Sequence, residues 1–134
     1  MGLDMNVYAT NGENLTKENL WDEDIYLDLN SWYWRKANCI HKWMVKNVQD
    51  DVDDCDVYEV DVNQLRELKD LVEEVMEDPE KASDLLPTTV GFFFGSTDYD
   101  ERYRNDLDLT LTHINQMLEE YSMGETRFFY NSSW

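Results

Sequence analysis

The sequence is short of everything that usually announces an enzyme or a membrane protein. It has 2 cysteines, 2 prolines, 5 glycines, 2 histidines and only 11 basic residues in 134. The cysteines, Cys39 and Cys55, lie in unlike contexts and form no CxxC pair, so two reduced thiols of a cytosolic chain are expected and nothing supports a disulfide. With His41 and His113 as the only histidines, a multi-histidine metal centre is excluded too. No apolar run approaches the roughly 20 residues of a membrane span, and the opening Met1–Met5 has neither the basic start nor the apolar core of a signal peptide. GxxxxGK[ST], GxGxxG, GxSxG and HExxH are all missing. Neither a cofactor nor a bound metal is therefore expected.

Acids are what the chain has in excess. Asp and Glu number 30, for a formal charge of −19, which disfavours direct binding to nucleic-acid phosphates. Hydrophobic residues nonetheless make up 42% and aromatics 13%, enough apolar matter for a packed core rather than a disordered acidic tail. The length suits one compact domain spanning residues 1–134.

The hydrophobic pattern predicts an α+β fold, with about three helices on a small, mostly antiparallel sheet. Leu3, Met5 and Val7 alternate as an opening strand, Asn11-Gly12 signals a turn, and Ile25, Leu27 and Leu29 alternate again. A first helix is expected from Asn30 or Ser31 to about Val48, with Tyr33, Ala37, Ile40, Met44 and Val48 on its core stripe. Val57–Val60 is short and β-prone. Asp61 with Gln64 then makes a capping box for a helix carrying Leu65, Leu68, Val72, Val75 and Met76. Ala82–Leu86 adds a turn, and Gly91–Gly95 reads as a strand. Ser96 or Thr97 caps a last helix that stripes Tyr99, Tyr103, Leu107, Leu111, Ile114, Leu118 and Tyr121 on one face. Thr126–Tyr130 returns as a strand, and the aromatics there and at Trp134 either complete the sheet or meet a second copy in a homodimer.

Charge is unevenly spread. Residues 29–49 hold four bases (Arg35, Lys36, Lys42, Lys46) and no acid, while the other 113 hold 7 bases and 30 acids, net −23. On the expected helix Arg35, Lys42 and Lys46 share a stripe beside Trp32 and Trp43. Such a surface can hold a phosphate and stack a base or sugar. The candidate ligand-binding set is Arg35, His41, Lys42 and Trp43, joined by Ser96 and Thr97 at a helix N-terminus. Beside it runs an acidic stretch, in which Asp50, Asp51, Asp53, Asp54, Asp56, Glu59 and Asp61 place seven acids in twelve residues. It does not fit a calcium loop, lacking the turn glycine and carrying Val62 in place of the bidentate Glu. Carboxylates spaced on a rigid face can instead imitate nucleic-acid phosphates, which makes Asp50, Asp51, Asp53, Asp54 and Asp56 an alternative, partner-binding set.

The opening Met1–Met5, the block Tyr33–Asn38 with His41-Lys42-Trp43, the run Gly91–Thr97 followed by Tyr99-Asp100, and the close Tyr130–Trp134 together resemble a family of small bacteriophage and prophage proteins. The resemblance spans nearly the whole chain and brings no functional residues with it. It implies an accessory protein acting in the cytoplasm of an infected bacterial host. The expectation is a non-enzymatic binding protein that counters antiviral defence, by capturing a small anionic, nucleotide-like ligand or by occupying a defence nuclease or effector as a nucleic-acid mimic. A small hydrolase pairing His41 with Asp98, Asp100 or Glu101 is the remaining alternative, and no catalytic residues are assigned.

Overall fold

The computed structural model describes residues 2–9, 15–22, 25, 29–91, 94–121 and 126–134. Among these it contains four strands and four α-helices, in the order β1 (Asp4–Ala9), β2 (Asn30–Arg35), α1 (Asn38–Asn47), β3 (Val57–Val60), α2 (Val62–Glu77), α3 (Ala82–Leu85), α4 (Glu101–Tyr121) and β4 (Phe128–Ser133). The fold is α+β, with one helix more than the sequence pattern suggested; α3 is a single turn behind a 3-10 turn at Pro79–Lys81. No helix among the described residues is long and apolar enough to cross a membrane.

The sheet runs β2-β1-β4-β3, and every neighbouring pair is antiparallel. Its two central strands come from opposite ends of the chain. Met5, Val7 and Ala9 of β1 and Phe128 and Tyr130 of β4 face the helices with Trp32 and Trp34 of β2, forming the main core. The other face is covered by a smaller cluster in which Leu15 and Leu20 pack with Val57 and Phe129. Phe128, Phe129 and Tyr130 are thus buried in completing the sheet.

The largest departure from the pattern reading is at 30–35, expected as helix and found as strand. Tyr33, Ala37, Ile40 and Met44 do recur at helical spacing, but within 30–35 burial alternates, Trp32 and Trp34 inward, Ser31, Tyr33 and Arg35 outward. Aromatic residues on a period of two favour a strand, and each indole N–H finds a partner on α4, Trp32 on Gln116 at 3.2 Å and Trp34 on Thr110 at 2.9 Å. The chain leaves β2 through Lys36 in the left-handed region (φ 55°), and α1 begins without a side-chain cap.

Elsewhere local chemistry was a better guide. The Asp61–Gln64 capping box forms, Gln64 N–H donating to Asp61 Oδ1 at 2.8 Å and Asp61 N–H to Gln64 Oε1 at 3.0 Å. The last helix starts later than expected, at Glu101, because Asp100 rather than Ser96 or Thr97 accepts from Tyr103 N–H. Phe94 lies in no strand, although its side chain is buried. Asn11-Gly12, Leu27, Phe92 and Phe93 lie outside the described residues.

The alternation in β2 is testable. Trp34→Ala should cost about 3–5 kcal/mol of stability in urea unfolding. Tyr33→Ala, on the exposed side, should cost about 1 kcal/mol or less, the reverse of what a helical core stripe would give.

Candidate functional site

Four regions hold the chemistry-bearing residues, and they divide the expected ligand set among them. Arg35, at the exposed end of β2, lies opposite Asp4 in the sheet register and shares no site with Lys42. The stripe of Arg35, Lys42 and Lys46 depended on one continuous helix and disappears with it. Lys42, Trp43 and Lys46 do stay together, lining a cleft of about 140 Å³ with Asn47, Asp84, Leu85 and Pro87. Among the described residues neither ammonium lies within ion-pairing distance of a carboxylate.

His41 points the other way, into the protein. It is 1% exposed. Its Nε2 lies 3.0 Å from Asp53 Oδ1 and its Nδ1 2.6 Å from the Tyr130 hydroxyl, so a neutral ring donates to the carboxylate and accepts from the phenol. Burial holds its pKa below the usual histidine value, against the pull of Asp53. Asp53 also accepts from Trp134 Nε1 at 3.0 Å, and Phe94 packs edge-on against both His41 and Trp134. With both nitrogens engaged there, His41 does not meet Asp98, Asp100 or Glu101, and the hydrolase pairing is not assembled. His113 likewise lies beside the core, donating from Nε2 to the Tyr33 carbonyl.

The acidic stretch is a folded loop. Asp50, Asp51 and Cys55 all have positive φ (51°, 64° and 61°), conformations that non-glycine residues hold only when their surroundings fix them. Asp51 N–H donates to Val45 O, the Gln49 amide donates to Val52 O, and Asn131 donates to Cys55 O. Asp54 receives Asp56 N–H and the Tyr58 hydroxyl, while Asp56 pairs with Lys17 at 2.7 Å. Asp50 and Asp51 remain exposed, and their side chains have no hydrogen-bond or ion-pair partner among the described residues.

Ser96 and Thr97 belong to a corner built around Asn38. The buried Asn38 amide donates to the carbonyls of Phe94 (3.0 Å) and Ser96 (2.9 Å) and accepts from Thr89 N–H (3.1 Å), pinning Thr89, Phe94 and Ser96 to the start of α1. Gly95 (φ +87°) passes so close to Lys36 that a Cβ there would sit 3.2 Å from the lysine Cβ. Ser96 Oγ accepts from Asp98 N–H and Thr97 O from the Thr88 hydroxyl, so both serve the turn rather than a helix N-terminus. Next to them Asp106 shares a narrow crevice with Lys36, Cys39 and Arg102. No hydrogen-bond donor among the described residues reaches its carboxylate, and burial raises its pKa to about 6. Cys39, buried beside it, has its thiol pushed up to about 12 and is not a nucleophile at neutral pH.

A larger opening than either of these, among the described residues, is one that no spacing in the sequence announces. A groove of about 320 Å³ runs between the end of α2 and the start of α4, with Val75, Ala82, Tyr103 and Leu107 as its floor and Met76, Tyr99, Glu101, Arg104, Asn105 and Asp108 along its edges. Met76 was placed with the core stripe of α2, yet it is 38% exposed and Tyr99 43%. Asp106 left a clearer signal, being an acid among the inward positions Tyr103, Leu107 and Thr110. Comparisons with protein-family models, curated proteins and solved structures find no match.

Two titrations follow. His41 is harder to protonate in the folded protein than in the unfolded chain, so stability should fall as pH drops below about 6.5 and level off below its folded pKa. His113, shifted the same way, adds to this slope; urea midpoints of His41→Gln between pH 5 and 8 should show a reduced dependence. Asp106 has the opposite sign, its charge being opposed as pH rises from about 4 to 6, so Asp106→Asn should raise the thermal midpoint at pH 7.

Proposed function

We propose that the chain is a non-enzymatic binding protein that engages a basic protein surface through its acidic face, in the anti-defence setting that the phage resemblance implies. One observation carries this reading: many of its carboxylates are mounted on rigid structure and left without cations. Only three lysine or arginine ion pairs form among the described residues, Lys17–Asp56, Lys81–Glu74 and Arg127–Glu59. On α2 the core side is Leu65, Leu68, Val72 and Val75. Glu67, Asp70, Glu73, Glu74 and Glu77 fall in an arc opposite it, with Arg66 as the one base inside the arc. At 1.5 Å per residue these five carboxylates extend over roughly 15 Å of helix axis, a mean interval of about 4 Å, comparable with the roughly 3.4 Å axial rise per phosphate along one DNA strand. The Asp50–Asp56 loop adds acids beyond the N-terminal end of the same helix, tied down where Gln64 donates to Asn47 O.

Such a surface is suited to a protein groove that normally holds nucleic acid, with fast, salt-sensitive association. It requires no reacting group, which agrees with a His41 whose two ring nitrogens are both hydrogen-bonded inside the protein and a Cys39 thiol kept protonated. Ligand capture is the second reading, supported by the cleft of Lys42, Trp43 and Lys46. At about 140 Å³ that cleft is below the roughly 300 Å³ of typical ligand pockets, so it suits an inorganic-sized anion better than a whole nucleotide.

The two readings separate in solution. Binding to a panel of nucleic-acid-binding bacterial defence enzymes should weaken steeply between about 50 and 200 mM salt, and Asp50→Asn/Asp51→Asn/Asp54→Asn should lose about tenfold in affinity. Unchanged affinity in that triple variant would overturn the acidic-face reading. Calorimetric heat with phosphate or nucleotides, abolished by Lys42→Ala/Lys46→Ala, would establish the second reading instead.

A further inference from the structure

The groove between α2 and α4 couples an apolar floor to acidic walls, and this combination selects its occupant. Val75, Ala82, Tyr103 and Leu107 are all buried at its base, while Met76 and Tyr99 stand partly exposed at the lips. Tyr99 and Tyr103 stack edge to face at 5.0 Å, and Tyr103 donates to Leu86 O at 2.7 Å, so the aromatic wall is fixed in place. An open apolar surface of this kind gains stability when a complementary apolar group covers it.

The surrounding charge decides which group. Glu101 and Asp108 line the α4 side against the single cation Arg104. On the α2 side exposed Glu73 and Glu77 flank Met76 and Glu80 follows Pro79, while the neighbouring Lys81 is already paired with Glu74 at 3.0 Å. A second copy of this chain would bring −19 against −19, and an anionic lipid surface would be repelled in the same way. A cationic peptide with an apolar face meets complementary charge on both sides.

We infer that this groove is the anchor site of the basic partner, receiving an aliphatic or aromatic side chain from an amphipathic, lysine- or arginine-rich helix. The inference rests on the reading of the chain as a binder of a basic protein, and it adds where the contact is anchored. Acidic residues on α2 would steer the encounter, and the apolar insertion would set how long it lasts.

The test uses the full chain, labelled with ¹⁵N, and two synthetic helical peptides of equal lysine content. One carries leucines along one face; in the other every leucine is replaced by serine. The leucine peptide should shift the amide signals of Met76, Tyr99, Arg104 and Asn105. Met76→Lys and Asn105→Lys, both at exposed positions, should each weaken it by about tenfold while keeping the wild-type melting transition. Equal binding of the two peptides, with shifts confined to residues 50–61, would overturn the groove assignment and leave the acidic-face reading standing. Groove shifts that persist undiminished in about 1 M salt, where charges are screened within about 3 Å, would uphold the groove and overturn the electrostatic reading instead. A wild-type dimer that Met76→Lys dissolves would show a second copy as the occupant and would also overturn the assignment.

Discussion

A short chain of hydrogen bonds, Tyr130 to His41 to Asp53, is the interaction on which the arrangement depends. Tyr130 lies on a central strand, His41 on α1 and Asp53 in the acidic loop, so three parts of the chain meet at one imidazole. A neutral histidine has one donor and one acceptor, and each is matched, the phenol giving a proton and the carboxylate taking one. Leaving the buried His41 or Tyr130 unpaired would cost about 1–3 kcal/mol. Asp53 is therefore a carboxylate with an internal duty, unlike Asp50 and Asp51 beside it. Through it the loop is registered against the core, and through Trp134 so is the end of β4.

Charge and apolar surface have been kept apart on this molecule with some consistency. The bases that looked like one island sit in three places, with Arg35 at a strand end, Lys36 in a strained turn and Lys42 with Lys46 along a cleft. The acids concentrate on the loop after α1 and along α2. Between α2 and α4 an apolar floor is left open and bordered by carboxylates. A partner meeting that side would find long-range attraction and a short-range anchor within reach of each other.

How much of this was legible in the sequence depended on whether the governing contacts were local. The capping box at Asp61 and Gln64 was, because a cap is settled by residues three apart. Met5 and Val7 announced β1 by alternation. The 30–35 segment misled because Tyr33, Ala37, Ile40 and Met44 keep a helical period by coincidence, while the decisive partners of Trp32 and Trp34 lie on α4, some 80 positions away. The candidate site was less legible for the same reason. Lys42 and Trp43 stayed together, being neighbours in sequence; Arg35, His41, Ser96 and Thr97 did not, because each is directed by a contact no spacing encodes. The groove needs two helices laid side by side before it exists.

The pairing of β1 with β4 has a consequence for the way the molecule comes into being. Asp4–Tyr8 hydrogen-bonds with Phe129–Ser133, so the middle of the sheet closes across more than 120 positions of chain. Contacts that distant slow folding, because the loop between them must be ordered before they are rewarded. During synthesis β1 has only β2 beside it, and its other edge stays open until Phe128–Ser133 leaves the ribosome. The Tyr130 hydroxyl that His41 needs arrives at the same moment. An open strand edge invites pairing with another chain, and a nascent molecule dense in carboxylates repels its own copies while it waits.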